Sequence, residues 1–480
     1  VYYTLARFTN QERLCITTIS NGRSNLRIAN TVGMFINTLA LSSLIEAQPV
    51  IDFITATSRN FDETLRHEHY PFAQIATDYD LSAEIMFAYQ MGVLENYVCQ
   101  GETVQVESLE LDVPKFRIAF FIKDYQGQPS VCVEYDNGRY SKGMMLNLAQ
   151  SVSNVVKAFI AAPQADLLGV SLINGQQTQL LDSFNQTDVP YDDSQTIVSL
   201  FRRQVSETPD NECVVYHDQR YTYREVDELS ERIASYLISL GMRNEDVVSV
   251  LIPRGEWMVI ASLGVLKAGC GYQPLDPSYP AERLNFMIED AAAKLLIADE
   301  TLRPIVDGFQ GEVLFTKDIT NLPAAGTVQT VVRSENLFIM LYTSGSTGVP
   351  KGCQLEHRNL VAFCHWYQRY YDLKPEHNVA AYASYGFDAC MMDMYPALTC
   401  GASVYIIPEE LRLDLIALNE YFEQNNITHS FMTTQVGYQF ATSIENHSLK
   451  HLSVGGEKLA SLTPPLPALL AIPPKPENIP

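Results

Sequence analysis

Apolar positions along the chain follow two different rhythms. In residues 1–172 the runs 116–122 and 131–135 have the composition of strands. Residues 144–161 repeat at helical spacing, with Leu146, Leu148, Val152, Val155 and Phe159 on one broad face. Residues 173–196, INGQQTQLLDSFNQTDVPYDDSQT, are polar and place Pro190 before a cluster of acids, which predicts a linker.

From 197 to 461 strand and helix signals alternate. Ile197, Leu200, Phe201 and Val205 predict a helix capped by Ser194. Residues 213–216 and 221–223 flank HDQR (217–220) as a hairpin. Val226, Leu229, Ile233 and Leu237 predict a second helix, ended by Gly241. The runs 247–252, 295–298, 337–342, 403–407 and 427–432 are apolar almost throughout, and a last one sits at 452–454. Strands apolar on both faces and separated by helices predict a multidomain α/β chain whose second part is a mostly parallel sheet covered by helices. The stretch 257–271 is the most apolar with helical character, but it is short and holds Lys267, so it predicts a buried helix. The tail LTPPLPALLAIPPKPENIP (462–480) is too rich in proline to continue a helix or a sheet interior.

A length of 480 residues implies two or more domains. The formal charge of -23 argues against a nucleic-acid partner, though not against a nucleotide held by one local loop. Nine cysteines, an odd number with no CxxC pair, predict reduced thiols in a cytoplasmic protein and no zinc site. No run approaches the roughly 20 apolar residues of a membrane span. The opening VYYTLARFTNQ has neither a signal pattern nor an initiator Met, which predicts a chain that begins inside a larger protein.

The strongest local signal is LYTSGSTGVPKG (341–352), where an apolar strand runs into Gly, Ser and Thr. Such a stretch offers many backbone and hydroxyl donors to phosphate oxygens, and Lys351 adds a point charge. The spacing is not that of a Walker A loop, because Val349 and Pro350 precede Lys351 and Gly352 follows it. The whole string resembles the signature of the adenylate-forming enzymes. YTYREVDELSERIASYL (221–237) and LKAGCGYQPLDPSYPAERL (266–284) resemble that family's preceding structural motifs, the second specifically in its nonribosomal peptide synthetase branch. The resemblance implies that Thr343, Ser344, Gly345, Ser346, Thr347, Gly348 and Lys351 hold the outer phosphates of ATP, used with Mg2+.

SYGFDACMMD (384–393) resembles the branch's aromatic-Asp motif. An amino acid entering a pocket carries an ammonium whose desolvation a carboxylate offsets, and Asp388 is the candidate. Asp388 also stands where an N-cap would, ahead of Met391, Met392, Tyr395 and Leu398. By resemblance the other pocket positions are Ala389, Met392, Phe431, Ser453 and Gly455, which suggest an apolar or modestly sized substrate side chain. Gly455, Gly456 and Glu457 resemble the segment beside the adenine.

Residues 1–172 resemble the C-terminal half of a condensation domain, which implies a chloramphenicol-acetyltransferase-like fold. The resemblance rests on SNGRSN (20–25), TVGMFINTLA (31–40), LRHEHYPFAQI (65–75), EIMFAYQ (84–90) and VEYDNGRYS (133–141). The family's acyl-transfer signature, two adjacent His, three intervening residues and then Asp-Gly, is missing. His67 and His69 lack its spacing and read as structural or surface residues. In the second part, the aromatic-Gly-Pro-Thr-Glu motif, the ribose-binding Asp and the C-terminal subdomain with the catalytic Lys have no counterpart. No catalytic residue and no protein metal ligand is therefore assigned.

The resemblance implies a piece of a synthetase: half a condensation domain (1–172), a linker (173–196), a partial adenylation domain (197–461) and the tail. The parent would activate an amino acid with ATP and load it on a phosphopantetheine thiol. Its partners would be the amino acid, a peptidyl carrier domain and the rest of the synthetase, with neither nucleic acid nor membrane. The chain alone is expected to adenylate very slowly or not at all. Two rivals remain: a stand-alone acyl- or aryl-CoA ligase, and a truncated non-catalytic nucleotide-binding or docking protein.

Overall fold

A computed structural model describes residues 1–24, 27–28, 30–90, 97–99, 101–104, 114–125, 128–343 and 349–459. The chain forms two compact units, Val1–Asp188 and Val189–Pro480.

The first unit is built on a five-stranded sheet in the spatial order Asn37–Leu44, Arg13–Ser20, Ile85–Gln90, Ile118–Tyr125 and Gln128–Tyr135. It is antiparallel at both ends and parallel in the middle. The helix Lys142–Ala161 begins where the Ser141 side chain accepts a hydrogen bond from the Met144 N–H. It buries Met145, Leu148, Val152 and Val155 beside Tyr3, Phe53 and Phe120. Leu146, expected on the apolar face, is 60% exposed. It lies two positions from Leu148, about 200° around the helix, and Met145 takes its place in the core. The stretch expected as a linker contains the helix Gly175–Phe184, started by a reciprocal cap between Asn174 and Gln177.

Two motifs of this unit meet at one buried acid. The Glu68 side chain accepts hydrogen bonds from the Ser20 and Ser24 hydroxyls, and these bonds hold its carboxyl below the usual range. Asn37 Nδ2 donates to the Glu68 and Tyr70 carbonyls at 2.7 and 2.8 Å. His67 and His69 on either side are exposed. Asn25 of the SNGRSN motif lies outside the described residues.

The second unit holds two six-stranded sheets where the strand pattern suggested one. The first runs Glu312–Phe315, Leu295–Ala298, Val247–Leu251, Gly271–Leu275, Leu337–Thr343, Lys351–Glu356. The second runs His451–Gly455, Ile427–Thr433, Asn378–Ala381, Ser403–Ile406, Glu212–Tyr216, Gln219–Thr222. Both are parallel except for the antiparallel hairpin that ends each. Runs with the same composition supply both sheets, so only long-range pairing decides which strand joins which.

Packed into the core that both sheets share is the helix Trp257–Lys267, buried from Met258 onward. It touches the helix Tyr223–Ser239 closely at Gly264, where a Cβ would lie 2.6 Å from Ile233 Cβ. Lys267 ends the helix with a fully buried side chain. Its Nζ reaches Asp227 Oδ1 at 2.5 Å, Ser230 Oγ at 2.8 Å and Glu231 Oε1 at 3.2 Å. A buried ammonium is tolerated only when paired in this way. The helix Ile197–Glu207 is capped by Thr196, whose Oγ1 accepts from the Ser199 N–H at 3.1 Å. Ser194, the expected cap, is instead turned onto Asp192. No helix among the described residues is long and apolar enough to cross a membrane.

Candidate nucleotide and substrate site

The phosphate-loop motif joins two paired strands. Leu337–Thr343 and Lys351–Glu356 run antiparallel, and their last matched pair is Thr343 opposite Lys351. Both residues are exposed, with a hydroxyl and an ammonium suited to an anion. The strand below them is anchored by the Tyr342 hydroxyl, which donates to Asp290 at 2.6 Å. Ser344, Gly345, Ser346, Thr347 and Gly348 lie outside the described residues.

Asp388 stands immediately before the helix Ala389–Leu398. Its backbone is helical, φ -58 and ψ -32, and its side chain makes no cap hydrogen bond. The carboxylate therefore does not do the work of an N-cap. It lines a cavity of 350 Å³ together with Ala389 and Met392. Phe338, Leu360 and Phe363 also line this cavity. The last two belong to the helix His357–Tyr370, to which the motifs pointed no substrate role.

The chain leading into Asp388 is held from both sides. Asp393 is buried and accepts hydrogen bonds from the Tyr382 and Ala383 N–H groups at 2.9 and 2.8 Å. Arg254 Nη1 donates to the Ala381 carbonyl, and Nη2 to the Tyr382 carbonyl, at 2.7 Å each. Nη2 also donates to the Ala383 carbonyl. One residue on, the Ser384 hydroxyl donates to Asp276. Burial pushes the Asp393 carboxyl up to about 7, against the two amides and Arg254, which pull it down. Arg254, Asp276 and Ser384 also border a second, more polar cavity of 360 Å³, lined as well by Glu409 and Arg412. It opens beyond the carboxyl ends of the strands Val247–Leu251, Gly271–Leu275, Asn378–Ala381 and Ser403–Ile406.

Phe431, Ser453 and Gly455 sit on one face of the parallel pair Ile427–Thr433 and His451–Gly455, with Phe431 beside Ser453 and Thr433 beside Gly455. They are not among the residues that line the cavity at Asp388. The Phe431 ring covers Gly455, where a Cβ would meet it at 3.3 Å, and Ser453 Oγ donates to the Tyr371 hydroxyl at 3.3 Å. The strand ends at Gly456, whose φ of +106 suits glycine. Thr434 Oγ1 then closes the turn, accepting from the Glu457 N–H and donating to its carbonyl, both at 3.1 Å.

The same face carries a run of histidines. His429 lies between His377 and His451, with ring centroids at 5.0 and 4.8 Å. Burial pulls His429 down to about 4, and His451, His377 and Lys450 add to this; only the Tyr371 carbonyl opposes it. Among the described residues no group of three or more His, Cys, Asp or Glu side chains converges to hold a metal ion.

Sequence reasoning did not single out Arg254 or Asp393. Asp393 closes the quoted motif SYGFDACMMD, so its position was available, but nothing marked it as buried. Arg254 follows a strand and a proline, where a lone arginine reads as a surface charge.

Comparison with known proteins gives the family. The model for "AMP-binding enzyme" matches residues 201–463, and that for "Condensation domain" matches residues 1–182. Bacitracin synthase 1 of Bacillus licheniformis is 32% identical over 473 residues, which are 95% of this chain and 9% of that protein. Surfactin synthase subunit 2 of Bacillus subtilis (strain 168) is 31% identical over 472 residues, 95% of this chain and 13% of its own length. The chain thus spans about a tenth of these relatives. A crystal structure of a four-domain nonribosomal peptide synthetase bound to AMP and glycine overlays with a TM-score of 0.81 at 23% identity, covering 95% of this chain and 36% of that one. Another synthetase, FmoA3 bound to α-methyl-L-serine-AMP, gives a TM-score of 0.74 at 21% identity, over 95% of this chain and 53% of that one. The chain belongs to the AMP-binding enzymes, and with a condensation domain matched ahead of that family's region it is a condensation–adenylation stretch of a nonribosomal peptide synthetase.

Proposed function

We propose that the second unit carries the amino-acid and phosphate-binding face of an adenylation domain, in a parent that makes an aminoacyl-AMP. In that reaction a carboxylate oxygen of the amino acid attacks the α-phosphorus of ATP, and pyrophosphate leaves. A phosphopantetheine thiol on a peptidyl carrier domain then attacks the acyl carbon and releases AMP. The other partners in this reading are the remaining parts of the synthetase, and the location is cytoplasmic.

The observation that carries the reading is Asp388, a carboxylate that lines a cavity and caps nothing. It offers the α-ammonium a charge-assisted hydrogen bond. An acyl- or aryl-CoA ligase has no ammonium to place there, so the same observation disfavours that rival. Thr343 and Lys351 suit the outer phosphates, joined in this reading by Ser344, Gly345, Ser346, Thr347 and Gly348. Gly455, Gly456 and Glu457 would border the adenine. Ala389, Met392, Phe431, Ser453 and Gly455 would complete the substrate pocket. The described residues offer no ready-made metal cluster, so Mg2+ is proposed as the companion of ATP. It would neutralise charge on the phosphates.

Calorimetry of Mg-ATP binding to the chain tests the reading. Loss of a charge-assisted contact costs about 1.5–3 kcal/mol, so Lys351→Ala should weaken binding roughly 10- to 150-fold. Unchanged affinity in that variant would remove the phosphate site from the proposal. Amino-acid-dependent pyrophosphate exchange by the isolated chain is expected to be absent or very slow, and robust exchange would refute that.

A further inference from the structure

The cavity at Asp388 has a wall that no motif assigned. Phe363 and Leu360 bring it from the helix His357–Tyr370, and Phe338 from the neighbouring strand. We infer that this helix supplies the wall that reads the substrate side chain, and that the activated amino acid has an apolar side chain ending against Phe363. The inference rests on the proposed role of Asp388 and deepens it.

Three features support it. First, among the described residues the lining holds two polar side chains, Asp388 and Asn359. Asn359 Oδ1 is already occupied at 2.9 Å by the Glu356 N–H, in the cap that starts the helix. With the ammonium on Asp388 and the Asn359 oxygen engaged, a polar substrate side chain would find the Asn359 amide as its one partner among the described lining residues, and its other donors and acceptors would go unmet.

Second, the volume suits an amino acid. At 350 Å³ the cavity lies at the small end of ligand sites, which run about 300–1,000 Å³. That leaves little room for a long acyl chain.

Third, the two sides differ in rigidity. The Phe338 ring is wedged edge-on by Tyr272, His357 and Tyr395, with centroids at 5.5, 5.4 and 4.9 Å. Met391 is pinned by the Tyr272 hydroxyl, which donates to its Sδ at 3.1 Å. Phe363, half-buried, meets Trp366 and Tyr367 of its own helix as its aromatic neighbours among the described residues, at 5.6 and 5.9 Å. Facing that braced floor, Phe363 is the large side chain on the opposite wall and sets the depth.

The test measures binding of aminoacyl sulfamoyl-adenosines to the full chain. The side chains are those of leucine, methionine, phenylalanine, asparagine, glutamate and lysine, and one probe is 4-methylpentanoyl sulfamoyl-adenosine, which lacks the amine. The apolar probes should bind at least tenfold tighter than the polar ones. Phe363→Ala should shift the preference towards phenylalanine by about tenfold or more, the scale on which a hydrophobic pocket discriminates one methylene. Phe363→Leu should keep the melting temperature and shift the preference less. A polar probe binding tightest, or an order unchanged by both variants, would overturn the inference. If Asp388→Asn still weakens every aminoacyl probe, the adenylation reading survives that failure. If the amine-free probe binds as well as the leucyl one and Asp388→Asn has no effect, the reading itself fails. Wild type binding none of the probes overturns both.

Discussion

Arg254 and Asp393 hold one short segment from opposite sides, the guanidinium on the carbonyls of 381–383 and the carboxylate on the N–H groups of 382 and 383. Each peptide dipole between them points its positive end at the acid and its negative end at the cation. The two buried charges are therefore partly compensated through backbone, without a direct ion pair.

Removing either charge should loosen the segment that carries Asp388. Asp393→Ala leaves the buried Tyr382 and Ala383 N–H groups without their acceptor, which should cost about 1–3 kcal/mol for each. Asp393→Asn keeps an acceptor and should cost less. The urea midpoint of the second unit, followed separately because two-unit chains need not unfold in one step, measures both.

The histidines predict acid sensitivity. His429 and His357 are held neutral by burial, at about 4 and about 3, below an ordinary value near 6.5. Between these limits the unfolded chain binds more protons, so their contribution is present above about pH 6.5 and lost as pH falls towards 4 and then 3. Asp393, raised to about 7, acts in the opposite sense over part of that range. Two histidines against one carboxyl leave a net loss of stability on acidification from pH 6.5 to 4. Urea midpoints of wild type and His429→Gln across that range should converge at low pH.

Lys267 is a second point of failure. Burial would raise the Glu231 carboxyl, but Lys267, the Val328 N–H and Arg202 outweigh it and hold it low. Lys267→Ala removes the ammonium from Asp227 and leaves Glu231 to Arg202 and the Val328 N–H, and should destabilise the second unit by roughly 3 kcal/mol, the lower end for a broken buried pair. Thermal unfolding of Lys267→Ala against Lys267→Met separates lost charge from lost volume.

In the first unit, Met145→Ala should cost about 2–5 kcal/mol, as expected for emptying a core position. Leu146→Gln should change stability by less than about 0.5 kcal/mol, as for an exposed site. Circular dichroism of both variants during urea unfolding checks the pair.

Much of this architecture was legible because the strands of the second unit are short and apolar on both faces. The run 295–298 and the strand Leu295–Ala298 coincide, and others differ by a residue or two at their ends. Two hydroxyls stood before the helix Ile197–Glu207, and the sequence pattern could not tell that Asp192 would occupy Ser194 and leave Thr196 to cap. Leu146 was misplaced because a helix this apolar offers two overlapping faces. The split into two sheets depends on pairings such as Val404 with Val214, 190 residues apart, which no local rhythm encodes. For the same reason Asp388 was visible in its motif, whereas Phe363 became part of the site only when two helices met.

The pairing of Thr343 with Lys351 limits how the segment between them can vary over time. The two residues stand opposite each other in neighbouring antiparallel strands. Lengthening the connection between two paired strands costs little, about 0.6 kcal/mol for each doubling, so the hairpin tolerates insertions there. A single-residue deletion within Lys351–Glu356 is a different event, because a slip by one reverses every side chain in the strand. It would carry Lys351 to the opposite face from Thr343. Descendants of this sequence can therefore change the length of the loop far more freely than the phase of the hairpin that presents it.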